Sequence, residues 1–451
     1  MNAIFGRRAV VIGAGIGGLS AAGALAAHFE HVEILERDLL PAGAISRPGT
    51  PQDRHPHGLL AGGLRALAEL FPGFDDDLAE AGAVPIRVAQ DFDYERPDVG
   101  TLPHRDLGVT VLCASRPLIE SVLRRRVAAI ANIAVHPGCR VSQILPATDR
   151  AGTRWVQFDT PANRTETVRA DLVVDASGRG PPTMALLDAL GLRRPPVTEI
   201  SVDISYATVV VQIPADARSA LRAVLTQPDP PALALHSVLV PIEDNRWTVL
   251  IADHGGYARP QSWDAFLGMA RTLATQTIYR MLSGAEPPSG IRHYGFPASR
   301  WQHFEQLTQL PLGVLPLGDA FCRFNPIHGQ GMSVAAKEAR ALQLLLRQAG
   351  AEADPIATVQ AGFVREAARI LPAPWNLSAI ADLAFPTTRG DRPEDFAEHQ
   401  RFEKALFRAA VADPVVHREM IEVAQLLRPL SDLQRPDIEQ RIDAASMQPA
   451  A

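Results

Sequence analysis

The spacing of apolar positions changes several times along the chain, and each change marks an element. The run RAVVIG is continuously apolar over the length of a strand, AGIGG breaks it, LSAAGALAAHF suits a helix of small residues, and HVEILE returns to a strand. Residues 8 to 36 therefore predict a compact βαβ unit. A second α/β stretch runs from Ser115 to about Gly180, with a helix over SRPLIESVLRRRVAAI and a buried strand in ADLVVDASG. Between Ser201 and His254 the pattern becomes β. SVDISYATVVVQI is followed by LALHSVLVPIEDNRWTVLIADH, read as two strands turning at Glu243-Asp244-Asn245, a block expected to form a sheet covering a pocket. SWDAFLGMARTLATQTIYRML follows as one helical candidate. The strand GVLPL then leads through Gly318-Asp319 to Gly329-Gln330-Gly331-Met332 and an amphipathic helix, SVAAKEARALQLLL. Beyond it the chain reads as helices separated by prolines, with no repeat and no low-complexity tract.

Composition narrows the class. A chain of 451 residues can bury a large core and holds two or three domains, and 47% apolar with 21% charged residues reads as soluble and globular. The formal charge of −6 argues against nucleic acid as the main partner. Positive charge is nearly all arginine, with only Lys337 and Lys404 as lysines. Cys113, Cys139 and Cys322 are widely separated and show no metal-ligand spacing, so a reducing cytoplasm is the expected compartment and no metal is expected. Arg7-Arg8 before an apolar run mimics a twin-arginine export signal. The glycines of that run sit where a dinucleotide loop needs them, so it reads as structure, with no integral membrane segment expected.

The candidate chemistry starts with Gly13-Ala14-Gly15-Ile16-Gly17-Gly18, directly after the first strand, where a G-x-G-x-x-G fingerprint belongs. Gly13 makes the tight turn, Gly15 lets a pyrophosphate approach the backbone, and Gly18 lets the helix pack on the strand. Glu36, at the end of the second strand, is either the acceptor for ribose hydroxyls or a surface acid. NAD and FAD share this fingerprint, so the choice rests on later residues. The helix after Gly331 opens on glycines with no acid in its first turn, which suits a negative or electron-rich group as well as an ordinary strand-to-helix turn.

Three stretches, GAGIGG, DLVVDASG and PLGDAFCRFNPIHGQGM, resemble in order and spacing the flavoprotein monooxygenases of the para-hydroxybenzoate hydroxylase type, over most of residues 8 to 350. The resemblance implies that FAD is the cofactor, that Gly318 and Asp319 meet its ribityl and pyrophosphate region, and that Pro326, Gly329, Gly331 and Met332 bring a helix N-terminus to the flavin pyrimidine. It makes Arg116 a contact of the FAD phosphates, its other reading being a surface arginine at a helix start, and adds Arg37, beside Glu36, to the cofactor set. The segment RPGTPQDRHPHGLLAGGLRALAELFPGF resembles bacterial epoxidases of polyether-precursor polyketides, which places Gln52, His55 and His57 near the flavin or substrate; each histidine could instead be a cap or core residue. His57, Asn325 and His328 are the candidates for polar contacts at the reacting face, each of which could equally be structural.

Two departures qualify the resemblance. Relatives that take hydride directly from NADPH or NADH carry Asp-Gly where this chain has Ser177-Gly178, which leaves room for a separate flavin reductase. Flavin-dependent halogenases of related fold use a Trp-x-Trp-x-Ile-Pro motif and an essential lysine; Trp247 stands alone here and neither lysine is suitably placed. The expected architecture is α/β: a Rossmann-like FAD-binding domain of the glutathione-reductase type (1–85, 105–195 and 300–350), an inserted β-rich substrate domain (86–104 and 196–299) and a helical C-terminal region (351–451). The expected function is oxygen insertion, by hydroxylation or epoxidation, into a hydrophobic polyketide-like or aromatic intermediate of secondary metabolism, with O2 as co-substrate. A redox-neutral FAD-containing cyclase is the alternative, and a halogenase ranks below it.

Overall fold

The computed structural model describes residues 3–146, 154–178, 181–214, 223–256 and 259–446. Its centre is a five-stranded parallel sheet in the order Val314–Pro316, Leu172–Asp175, Gly6–Ile12, Phe29–Glu36, Ile133–Pro137. Parallel strands covered on both faces lose the polar alternation of half-exposed ones. Successive residues of the first strand accordingly serve different layers. Ala9 and Val11 pack with the helices Ile16–Leu25 and Gly331–Gln348, whereas Val10 and Ile12 pack against a three-stranded antiparallel sheet built from Arg140–Leu145, Arg154–Asp159 and Thr165–Ala170.

A second, eight-stranded sheet runs in the order Cys322–Arg323, Arg292–Gln302, Val197–Val211, Arg246–His254, Leu235–Ile242, Ala223–Thr226, Phe92–Arg96, Gly100–Thr101. Its period of two separates two faces. Ala207, Val209, Val211, Leu239, Val249 and Ile251 bury one face beneath two short helices, while His236, Val238, Val240 and Ile242 present the other to a cavity. The hairpin turns where expected: Ile242 pairs with Arg246, leaving Glu243-Asp244-Asn245 as the turn, with Asp244 and Asn245 at φ +61° and +57°, left-handed values that Asp and Asn tolerate.

One expectation is corrected. The single helix read over residues 262–282 is two, Trp263–Ala270 and Thr277–Leu282. Threonines in and just after the interruption have their hydroxyls engaged: Thr272 Oγ1 donates to the Met269 carbonyl at 2.8 Å, and Thr275, with Thr277 at the start of the second helix, donates to the buried carboxylate of Glu95. Side chains that satisfy themselves this way compete with helical backbone bonding.

In the C-terminal region Pro355, Pro372, Pro414 and Pro436 each open a helix, the position where a missing N–H costs nothing. Phe396–Ala412, Pro414–Ala424 and Pro436–Ser446 share an apolar cluster with Val88, Leu102, Leu107 and Val109, so this region packs on the body of the protein. Among the described residues no helix is long and apolar enough to cross a membrane.

Candidate functional site

The three fingerprint glycines of the first loop, Gly13, Gly15 and Gly18, answer to different neighbours. Gly13 has φ +98°, and a Cβ there would lie 2.7 Å from the Ala176 carbonyl; at Gly18 a Cβ would lie 1.9 Å from the Gly13 carbonyl. Both are required by the protein's own backbone. At Gly15 the nearest atom to a Cβ would be Arg116 Nη2 at 4.0 Å, so this glycine faces open space. The helix Ile16–Leu25 starts there with no acidic residue in its first turn and no side-chain cap, leaving its first N–H groups available.

Arg116 opens the helix Arg116–Ala128, for which Ser115 Oγ accepts the Leu118 N–H at 3.3 Å. Its Nε is buried without a hydrogen-bond partner. Burial holds the guanidinium pKa below its usual range, opposed by the charges of Glu120 and Asp319. Arg116 is half-buried, lies near Gly15 and is acted on by the charge of Asp319, so the first glycine loop and the Gly318-Asp319 turn face a common space.

Glu36 is only 4% exposed. Its carboxylate accepts the N–H of Ala14 at 2.7 Å and of Asp38 at 2.9 Å, with Arg47 Nη1 at 3.3 Å. A carboxylate offers about four acceptor sites, so one remains for a ribose hydroxyl. Arg47 was not singled out from sequence, yet it is the arginine over the glycine loop. It reaches Glu120 and Asp38 at 2.8 Å and the Ala14 carbonyl at 3.4 Å. Burial works against its charge, but Glu120, Glu36 and Asp38 more than offset this and hold its pKa above the usual range. Arg37 points outward and donates to the Gly49 carbonyl at 3.2 Å. Gln52 is half-buried in the turn Pro51–Arg54.

At the second stretch, Gly318 (φ +65°) donates its N–H to Glu338 Oε2 at 2.7 Å. Burial raises the Glu338 pKa to about 8, the Gly318 N–H opposing and Asp319 reinforcing the rise. Asp319 is exposed, and a Cβ built on Gly331 would approach nothing closer than its Oδ1, at 3.9 Å. Gly331 begins the helix Gly331–Gln348, again with no acid in its first turn, and Met332 follows, buried. The turn Pro326–His328 ends on Gly329, φ +67°, whose carbonyl would lie 3.3 Å from a Cβ on Gly58. Leu60 N–H also donates to Ser333 Oγ at 2.9 Å, so the segment around His57 rides on this helix start.

The two histidines of that segment diverge. His57 Nδ1 lies 2.8 Å from the His55 carbonyl; burial, with the charge of Arg116, lowers its pKa to about 3. His55 Nδ1 lies 2.7 Å from Thr208 Oγ1, its ring packs on Tyr206 and Tyr294, and burial lowers its pKa to about 4. Among the described residues no three His, Cys, Asp or Glu side chains converge to hold a metal ion.

Asn325, read from sequence as a contact at the reacting face, is instead fully buried and absent from the cavity wall. It accepts the Tyr206 hydroxyl at 2.8 Å and donates to Asp382 Oδ1 at 2.9 Å. The same oxygen lies 3.1 Å from His328 Nε2, and His328 does line the cavity. Asp382, on the helix Pro372–Leu383, and His236, whose pKa burial lowers to about 3, were not found from sequence, since no local motif surrounds either.

The cavity measures about 890 Å³. Its walls are the segment His55–Leu60 with Pro326–Gln330, the sheet face carrying His236 to Ile242, and the C-terminal helices through Ile380, Phe402, Leu406, Phe407 and Met420. The region read as a C-terminal extension is therefore a wall of the site.

Comparison with known proteins agrees with this architecture. Residues 11–62 match the NAD(P)-binding Rossmann-like domain family. The structure resembles a flavoprotein/dehydrogenase from Cytophaga hutchinsonii, with TM-score 0.69, 16% identity and coverage of 97% of this chain and 98% of that one. It also resembles a p-nitrophenol 4-monooxygenase from Pseudomonas putida, with TM-score 0.63, 17% identity and coverage of 94% and 99%. At these identities the likeness concerns the fold, which is a flavoprotein fold. In sequence the chain is 32% identical to Protein Rv3254 of Mycobacterium tuberculosis over 394 residues, 84% of this chain and 80% of that protein. It belongs to the same protein family as Protein Rv3254.

Proposed function

We propose that the chain is an FAD-dependent monooxygenase that inserts one oxygen atom of O2, by hydroxylation or epoxidation, into a hydrophobic small molecule. The observation that carries this reading is the open face of Gly15 beside Arg116, whose buried Nε lacks a partner, with Asp319 and Gly331 acting on the same space. A pyrophosphate answers both features, since it needs a bare helix N-terminus and a cation. The residues fit FAD. Gly15 and Arg116 would hold the pyrophosphate on the loop that Gly13 and Gly18 shape, Glu36 and Arg37 the adenosine side, Gly318 and Asp319 the ribityl side, and Pro326, Gly329, Gly331 and Met332 the pyrimidine.

When bound, FAD supplies electron storage and reaction with O2. The protein's share is positioning and exclusion of water. The Gly331–Gln348 helix would set its positive end against charge on the reduced cofactor, and the apolar C-terminal wall would keep water from the cavity. His57, held neutral by burial beside Arg116 and with its Nδ1 donating to the His55 carbonyl, presents Nε2 as a hydrogen-bond acceptor without adding charge. His328, oriented by Asp382, is the second polar group on the cavity wall.

Electrons would come from NADPH or NADH through a separate flavin reductase, as Ser177 stands where direct hydride acceptors have aspartate. Halogenation is disfavoured by the lysines: Lys337 Nζ donates to the Leu426 carbonyl at 2.8 Å, Lys404 is exposed, and neither lines the cavity. Oxygen uptake separates oxygenation from redox-neutral cyclisation. With a reductase, NADPH and a panel of aromatic and polyene compounds, this reading expects uptake stoichiometric with an oxygenated product. An isomerised product formed without uptake would favour the cyclase.

A further inference from the structure

The large cavity adjoins a smaller cleft of about 390 Å³, and the two share Arg54, His55 and Arg292 in their linings. The cleft is completed by Arg47, His293 and three apolar residues, so it holds three arginines and two histidines and no carboxylate. Arg47 is already matched by Glu120, Asp38 and Glu36. Arg54 and Arg292 are both exposed and have no ion-pair partner among the described residues. They come from different parts of the chain. Arg54 ends the turn Pro51–Arg54, Arg292 begins the strand Arg292–Gln302, and turn and strand pack together, the His55 ring lying 5.5 Å from that of Tyr294.

An apolar cavity that meets two uncompensated guanidiniums at a shared edge is chemically asymmetric. The cavity gains by covering hydrocarbon, while the arginine pair gains by meeting a carboxylate or phosphate with paired N–H donors. The geometry points to an amphiphilic substrate whose anionic head is held by Arg54 and Arg292 while its apolar body lies in the part of the 890 Å³ cavity that FAD leaves free. This deepens the monooxygenase reading, on which it rests, by naming the substrate class. The phosphates of NADPH offer the same head chemistry but bring a polar body that has no use for the apolar cavity. Their binding at the cleft is therefore the opposing outcome.

The test reads binding, so its failure is separate from failure of the flavin assignment, which absorbance of the same samples reports. FAD-loaded protein is titrated calorimetrically with dodecanoate, dodecyl phosphate and dodecanol below their micelle concentrations, and with NADPH. The same is done for the R54Q/R292Q double variant, whose exposed side chains leave folding unaffected by a thermal melt. At least one anionic probe is expected to bind about tenfold or more tighter than dodecanol, and the tighter of the two names the head group. The double variant loses that preference, dodecanol binding is unchanged, and added salt weakens only the anionic probes. Equal binding of dodecanol and both anions overturns the proposal. So does an undiminished preference in the double variant, or a double variant that loses NADPH binding alone.

Discussion

Asp382 Oδ1 lies 3.1 Å from His328 Nε2, joining a helix of the C-terminal region to the turn that precedes the glycine-started helix. The same oxygen accepts from Asn325 Nδ2, so one buried carboxylate orients two residues of the second glycine stretch. Removing it as D382A leaves Asn325 and His328 without their acceptor. Such buried losses cost about 1–3 kcal/mol, so the midpoint of urea unfolding should fall accordingly. D382N keeps one carbonyl oxygen and should lose less. An unchanged midpoint in D382A would show that the contact orders nothing.

Gly15 and Gly18 should behave as opposites. A Cβ at Gly15 meets nothing closer than Arg116 Nη2, at 4.0 Å, so G15V should fold with the thermal stability of the ligand-free parent and yet retain no FAD. At Gly18 a Cβ would sit 1.9 Å from the Gly13 carbonyl, so G18A should lower stability itself, by the roughly 1–3 kcal/mol of overpacking or more. Melting curves and flavin content of the two variants, measured together, check this. Full FAD occupancy in G15V would move the pyrophosphate elsewhere.

Glu338 gives a pH dependence with a definite sign. Its folded pKa, about 8, lies above its unfolded value of 4.5, so the folded state binds the extra proton between those limits. The linked stability is fully present below the unfolded pKa and is lost as pH rises toward the folded one. E338Q cannot ionise. Its stability relative to the parent should therefore improve steadily as pH is raised through that window, read from paired urea titrations. A constant difference would mean that Glu338 is charged throughout.

Much of this was legible in the chain. The βαβ unit, the Glu243–Asn245 turn and the β-rich block follow from local periodicity and turn residues, and all three appear where expected. What escaped depends on contacts distant in sequence. Arg47 matters through Glu120, 73 residues away, and Asp382 through Asn325, 57 residues away. Neither has neighbours in sequence that advertise it. The break after Ala270 escaped for the same reason, because Thr275 and Thr277 look helical until Glu95 is placed beside them. The C-terminal helices were seen as helices, but their apolar faces could not be matched to the cavity they line until both lay in one fold.

Ser177 bears on the electron source. Its Oγ donates to Asp175 Oδ1 at 2.6 Å and its N–H to the same oxygen at 3.1 Å, so it closes the turn after the strand Leu172–Asp175. Reduction of bound FAD by NADPH or NADH alone is expected to be slow even with substrate present, and a flavin reductase should restore turnover. Anaerobic stopped-flow mixing follows this through the loss of flavin absorbance. Bleaching at rates competitive with turnover, with no reductase present, would make the enzyme a single-component oxygenase.

The central claim is that the glycine loop, Arg116, Asp319 and the Gly331 helix start together hold one FAD without a covalent link. The most direct measurement is to purify the protein, denature it, separate the polypeptide, and identify and quantify the flavin in each fraction against protein concentration. For apoprotein, titration with FAD and with FMN replaces the first step. The account predicts about one FAD per chain, all of it in the soluble fraction, with D319A weakening the binding by about 1–3 kcal/mol. Absence of flavin together with no FAD binding on titration would contradict it, as would FMN in place of FAD or flavin that stays with the polypeptide.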